Sequence, residues 1–201
     1  MDNIYEEGGK DKMTEEEYLV PNVNFGSQLS LDKGMKQIQE TIMLILTELA
    51  TEGDLSKERA GIRILFMNAH GDIPGMHLMG PNPIGENYFS VLEKEEFKSL
   101  LYNLAKTKET EDGIIIIHLS GQVLGARVFL HERAVKIDQQ AEKKILELSE
   151  GGTASRTLMR WSLNPRVVSA FQLSESGNVY MYDSGVREHV YSPKEKKELV
   201  S

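Results

Sequence analysis

Four stretches of this chain carry residue types that can act on a charged ligand. In Gly151-Gly152-Thr153-Ala154-Ser155-Arg156, a glycine pair precedes two hydroxyls and a guanidinium. If a helix begins at Thr153, its first backbone N–H groups and the positive end of its dipole favour an anion, and the glycines let a phosphate approach. Arg156 adds a charge-assisted donor. Asp112-Gly113 precedes an isoleucine run, residues 114–117. A carboxylate at a strand's entry can hold a divalent cation or accept the proton of an attacking hydroxyl. Ser174-Glu175-Ser176-Gly177 offers a second carboxylate, Glu175. His70, Asp72 and His77 lie together in one loop and are metal-ligand types. Taken singly, each stretch also has a plainer reading. Gly-Gly before Thr153 is a flexible turn with a cap, and Asp-Gly and Ser-Gly pairs are common turns. Nothing in the loop fixes a coordination geometry for the histidines. His118, inside the isoleucine strand, reads as a packed or edge histidine.

The elements that would position these residues follow from periodicity. Asp32 to Glu52 has Ile38, Ile42, Ile45, Leu46 and Leu49 at helical spacing, with Ser30 or Asp32 as cap and Gly53 as stop. Ile62 to Met67 is a short apolar strand. A Gly/Pro/Asn-rich loop follows, long enough to suggest a functional segment. Glu93 to Lys106 is a second helix. Ile114 to Leu119 reads as a strand buried on both faces. Ser120-Gly121 turns it into a partner strand, Gln122 to Leu130. Helices are expected over Asp138 to Leu148 and Thr153 to Trp161, and strands over Val167 to Leu173, Asn178 to Tyr182 and a short stretch after Ser184-Gly185. The sum is an α/β domain with a central mixed sheet of about six or seven strands and about four helices. The hairpins argue against a purely parallel sheet. The organisation expected is a flexible acidic arm over 1–30, one folded domain over 31–192 and a charged tail over 193–201.

Composition narrows the class. The chain has 201 residues, is 40% hydrophobic and contains no cysteine. This suits one core and a cytoplasmic, reducing setting, without disulfides or thiolate sites. A net charge of −8 makes a general nucleic-acid surface unexpected, so an anionic ligand would need a local cation or a metal. No run approaches the roughly 20 apolar residues of a membrane span.

The order of the motifs is more specific than any one of them. The segment DGIIIIHLSGQVLGARVFL, followed by GGTASRTLMRWSLNPRVVSAFQLSESGNVYMYDSGV, resembles the diadenylate cyclase domain found in the DNA-integrity scanning protein. That family shows Asp-Gly-Ala opening a strand, a second strand ending in Gly-x-x-Leu, Gly-Thr-Arg-His-Arg at a helix start, and Ser-Glu between two strands. Asn82-Pro83-Ile84-Gly85 looks like the Asn-Pro-Phe loop of archaeal-type members. The resemblance runs from about Gly34 to His189.

What the resemblance implies is one ATP per protomer and two protomers face to face. Each 3′-hydroxyl attacks the other ATP's α-phosphate with manganese, magnesium or cobalt present, giving cyclic di-AMP and pyrophosphate. On that reading Asp112 and Arg156 are catalytic, and Asp112 and Glu175 hold the metal. Gly113, Leu130, Gly152, Thr153, Ser155, Arg156 and Ser174 line the ATP. Three positions depart from the pattern. Ala154 and Ser155 stand where Arg-His is expected, and Ile114 stands for the small alanine. A lost arginine removes a donor fork from the triphosphate, worth about ten- to a hundred-fold. The resemblance therefore implies either a slow cyclase or an adenine-nucleotide-binding relative without turnover. Without it, the chain would be a small α/β interaction domain.

Overall fold

The computed structural model describes residues 28–52, 61–69, 73–85, 87–107, 113–149 and 152–193. Most of the expected arm and tail, together with His70, Asp72, Asp112 and Gly151, lie outside the described residues.

Eight strands make one sheet: β1 (Ile62–Met67), β2 (Met76–Leu78), β3 (Phe89–Ser90), β4 (Ile114–His118), β5 (Gln122–Leu130), β6 (Val167–Leu173), β7 (Val179–Asp183) and β8 (Val186–Tyr191). Their order is β2-β5-β4-β1-β6-β7-β8, with β3 also paired to β5. The β1–β4 pair is parallel and the other pairs are antiparallel, so the sheet is mixed as expected. Strands β2 and β3, which the sequence did not mark, come from the long loop. Each is too short to show a period, and each gains its structure by pairing with β5.

Four α-helices cover the sheet: α1 (Gln28–Thr51), α2 (Lys94–Lys106), α3 (Gln139–Leu148) and α4 (Thr153–Trp161). Helix α1 begins before Ser30 and Asp32, the residues expected to cap it. Helix α3 has the expected type of cap, Asp138, whose carboxylate accepts the Ala141 N–H at 2.7 Å. Alternation along the strands divides the core in two. Ile62, Ile64, Phe66, Ile115, Ile117 and Phe171 pack under α1 and α2. Leu65, Met67, Ile114, Ile116 and Ala170 face the other way, with Leu158, Met159 and Trp161 of α4 and Ile145 of α3. Across the α1–α2 seam, Lys98 Nζ lies 2.9 Å from Glu48 and 2.8 Å from Glu52. Hydrogen bonds to Glu52, then Glu48, hold its ammonium well above the ordinary lysine range. A raised pKa means that this clamp contributes fully at neutral pH and is lost only as pH rises past about 10.

One irregularity shapes the centre of the sheet. Opposite the step from Ile114 to Ile116, β5 runs from Val128 to Gly125, one residue more than its partner. The bulge leaves Arg127 at φ 60, in the left-handed region. It also turns the Ala126 N–H toward the loop, where Asn82 Oδ1 accepts it at 3.2 Å and accepts the Ile84 N–H at 3.3 Å. The Asn82-Pro83-Ile84-Gly85 segment is thus latched to the bulge. Ala126 is fully buried. Asn82→Ala should therefore lower the unfolding free energy by about 1–3 kcal/mol by orphaning that N–H. Asn82→Asp, which keeps an acceptor, should lose less. Denaturant titration of the three proteins checks this, and equal stability of Asn82→Ala and the parent would refute the latch.

Candidate functional site

The register brings several of the singled-out segments to one end of the sheet. Ile62 pairs with Leu173, so β1 begins where β6 ends. Ile64 pairs with Ile115 in parallel, so β4 begins beside the start of β1. Val128 pairs with Ile114, so Leu130 and the end of β5 lie there too. Gly113, Leu130 and the Ser174–Gly177 turn thus share one end. Asp112 precedes Gly113 but lies outside the described residues.

Helix α4 packs on this end from the side of Leu158 and Met159. Between its first turn and the strands is a cavity of about 370 Å³. Ala154 lines it from the helix, Gly61 and Arg63 from β1 and the residue before it, and Gln172 from β6. Ser174, Glu175 and Ser176 close it from the β6–β7 turn. Gly177 makes that turn possible at φ 90, its N–H donating to the Ser174 carbonyl at 3.0 Å. The Asn178 N–H donates to Ser174 Oγ at 3.0 Å, and Ser174 Oγ lies 2.9 Å from Ser176 Oγ. The Ser174 hydroxyl therefore holds the turn as well as lining the cavity, and the Glu175 side chain stands exposed at its edge.

The floor is a buried polar chain. The Tyr182 hydroxyl is 2.5 Å from Gln172 Oε1, to which it donates, and 3.1 Å from Ser155 Oγ. Tyr182 is fully buried and Ser155 nearly so. The Ser155 hydroxyl, expected to line the ATP, meets Tyr182 on the inner face of α4. The reason is helical spacing, because Ser155 shares a face with Leu158 and Met159, three and four residues on.

The remaining expected residues differ in how they are placed. Gly152 is exposed at the N-cap of α4, and its carbonyl accepts the Arg156 N–H at 3.0 Å. Thr153 is exposed beside it. Arg156 Nε reaches Glu132 at 3.0 Å, in the 3-10 helix Glu132–Ala134. Arg160, one helical turn beyond Arg156, is tied down: Nε donates to the Val135 carbonyl at 3.0 Å and Nη1 meets Glu142 at 2.6 Å. Leu130 packs in the core with Ile114 and Val128, not on an open surface. Gly113 has a packing reason of its own, since a Cβ there would lie 2.3 Å from Arg127 Cα. His118 is buried, with Nδ1 accepting the Ser120 N–H at 3.2 Å, the packed histidine that was expected. His77 stacks near Phe129, ring centroids 5.0 Å apart. Among the described residues no three His, Asp or Glu side chains gather as metal ligands. No described helix is long and apolar enough to cross a membrane.

Arg63, Gln172 and Tyr182 escaped the sequence reading because they sit inside strands read as core. A signal was present for Arg63, a charged residue within the apolar run IRILFM.

No protein-family model matches the chain, and no curated protein does. Among solved structures, a double cysteine mutant of DacA from Staphylococcus aureus is similar at a TM-score of 0.46 and 17% identity, covering 84% of this chain and 95% of that one. A hypothetical membrane-spanning protein from Bacillus cereus is similar at a TM-score of 0.49 and 14% identity, covering 76% of this chain and 63% of that one. Both scores lie below 0.5, and neither likeness supplies a function.

The buried chain under the cavity is testable without any ligand. Tyr182→Phe should lower the unfolding free energy by about 1–3 kcal/mol, leaving Gln172 and Ser155 short of a partner. In a double-mutant cycle with Ser155→Ala the two losses should be non-additive by about 0.5 kcal/mol or more. Strict additivity in denaturant titrations would contradict a bond between the two hydroxyls.

Proposed function

We propose that this chain binds ATP at the end of the sheet where β1 and β4 begin, and that it condenses two ATP molecules slowly to cyclic di-AMP and pyrophosphate. The observation that carries the reading is the cavity itself. Two motifs about twenty residues apart, the start of α4 and the Ser174-Glu175 turn, border one opening, at the end of the sheet where Gly113 lies. Its volume, about 370 Å³, falls within the usual range for small-ligand sites.

In this reading the triphosphate lies along the first turn of α4, where Gly152, Thr153 and the helix dipole favour negative charge. Arg156 swings from Glu132 toward the phosphates, exchanging one carboxylate for phosphate oxygens. Ser174 adds a hydroxyl. Glu175, at the cavity's edge, and Asp112 are the carboxylates that would hold a divalent cation together with phosphate oxygens. One or two carboxylates plus phosphates are a common donor set for magnesium-like ions. When bound, such an ion neutralises charge on the transferring phosphoryl group. Asp112 accepts the proton of the 3′-hydroxyl as it attacks the partner ATP's α-phosphate, and pyrophosphate leaves. Each ATP attacks the other, so the reaction needs two copies of the chain face to face.

A second reading, nucleotide binding without turnover, is favoured by one observation. Neither position that departs from the Arg-His pattern offers a side-chain donor to the ligand: Ala154 has none and the Ser155 hydroxyl is engaged with Tyr182.

Calorimetric titration of the full chain with ATP and manganese should show saturable binding, weakened by Arg156→Ala. Long incubation followed by chromatography should show cyclic di-AMP from the parent and none from Asp112→Asn. Binding without product would select the second reading. A flat titration would remove both.

A further inference from the structure

We propose that Arg63 is the cation that receives a phosphate group in this cavity, in the space that Ala154 leaves open. The inference rests on the reading of the cavity as a nucleotide site and names a residue that reading lacks.

Three observations carry it. Arg63 alternates with Ile62 and Ile64, which point under α1 and α2, so it shares the face of Leu65 and Met67 and projects toward α4. It lines the cavity together with Ala154, directly across from the helix turn. Its cross-strand neighbour is Gln172, which Tyr182 fixes in place, so the base of the side chain stands on an ordered platform. An arginine in an otherwise buried strand (its companions Ile62, Ile64, Leu65, Phe66 and Met67 are all buried) is costly unless its head group meets an acceptor or solvent. Here it lines the cavity.

Charge favours the role. The chain carries a net −8, and Glu175 brings a carboxylate to the same cavity. An anionic ligand needs a cation within the site to enter such a field. Arg156 reaches the phosphates only on leaving Glu132, and Arg160 is held by Glu142; neither lines this cavity. Arg63 is the cation among the cavity's described lining residues. Its planar fork suits two phosphate oxygens at once. A side chain at position 154 long enough to reach a phosphate from the helix would enter the space that Arg63 faces. A small residue there and an arginine on β1 are therefore complementary choices.

The test uses the full chain and three probes: ATP, inorganic tripolyphosphate and adenosine, each titrated by calorimetry. Arg63→Gln should weaken ATP and tripolyphosphate by roughly ten- to a hundred-fold and leave adenosine unchanged. Arg63→Lys should fall between, keeping the charge without the fork. Adding Ala154→Arg to Arg63→Gln should restore much of the loss, an effect that a merely structural role for Arg63 would not produce. Thermal melts confirm that each variant is folded. If ATP binds the parent and Arg63→Gln equally well, the inference is overturned while the nucleotide site stands. If tripolyphosphate binds and is lost in Arg63→Gln, but ATP shows no advantage over it, the cation site stands and the adenine reading falls. If the parent binds neither anion, both fall.

Discussion

The bond between the Tyr182 hydroxyl and Gln172, with Ser155 Oγ beside it, ties helix α4 to the sheet at the place where chemistry is proposed. Tyr182 comes from β7, Gln172 from β6 and Ser155 from α4, so one buried hydroxyl sets the distance between three elements. Polar groups this deeply buried have little freedom to exchange partners, because each unmade bond leaves a desolvated group. With this contact in place, the first turn of α4 stands over the ends of β1 and β6, and the Ser174–Gly177 turn rises beside it. The cavity is what remains between them. Its shape thus depends on Tyr182 and Ser155, which do not line it.

Sheet topology supplies the other half of the arrangement. Because β1 and β4 are parallel neighbours and each is flanked by an antiparallel strand, two strand beginnings and two strand ends fall on one edge. Backbone loops and a helix tip can meet there without crossing the core. The bulge of β5 at Ala126 and Arg127 lies close by, pressed against Gly113 so tightly that no side chain fits. The glycine after Asp112 is therefore demanded by strand packing as well as by any ligand. Leu130 likewise has its place in the core as sufficient cause. Both residues match the motif pattern, yet their structural roles explain them alone, so the proposed function rests on Asp112, Arg156 and Glu175 and the proposed phosphate contact on Arg63.

Much of the fold was legible in the sequence, because long periodic segments declare themselves. Helix α4 and strands β5 and β6 begin and end where turn residues and periodicity place them. Strands β2 and β3 were not legible: three and two residues carry no period, and their conformation is induced by the open edge of β5. The site was legible as segments but not as side-chain directions. Ser155 looked like a phosphate ligand because it follows a glycine pair, yet the apolar residues three and four positions later already marked its face as inward. Arg63 looked like an interruption of a core strand, and its partner cavity became visible only once α4 was laid across β6. Linear proximity to a motif said nothing of the direction Ser155 takes, and distance from every motif hid Arg63.

The central claim is that the opening between α4 and the Ser174–Gly177 turn holds a nucleotide triphosphate. The most direct measurement is a crystal structure of the chain grown with a non-reactive ATP analogue and manganese. The account predicts density for phosphates against Gly152 and Thr153, with the Arg63 guanidinium at a phosphate and the Glu175 carboxylate close to the ion. Clear density for the analogue elsewhere, or an empty opening with α4 closed onto the β6–β7 turn under saturating ligand, would contradict it.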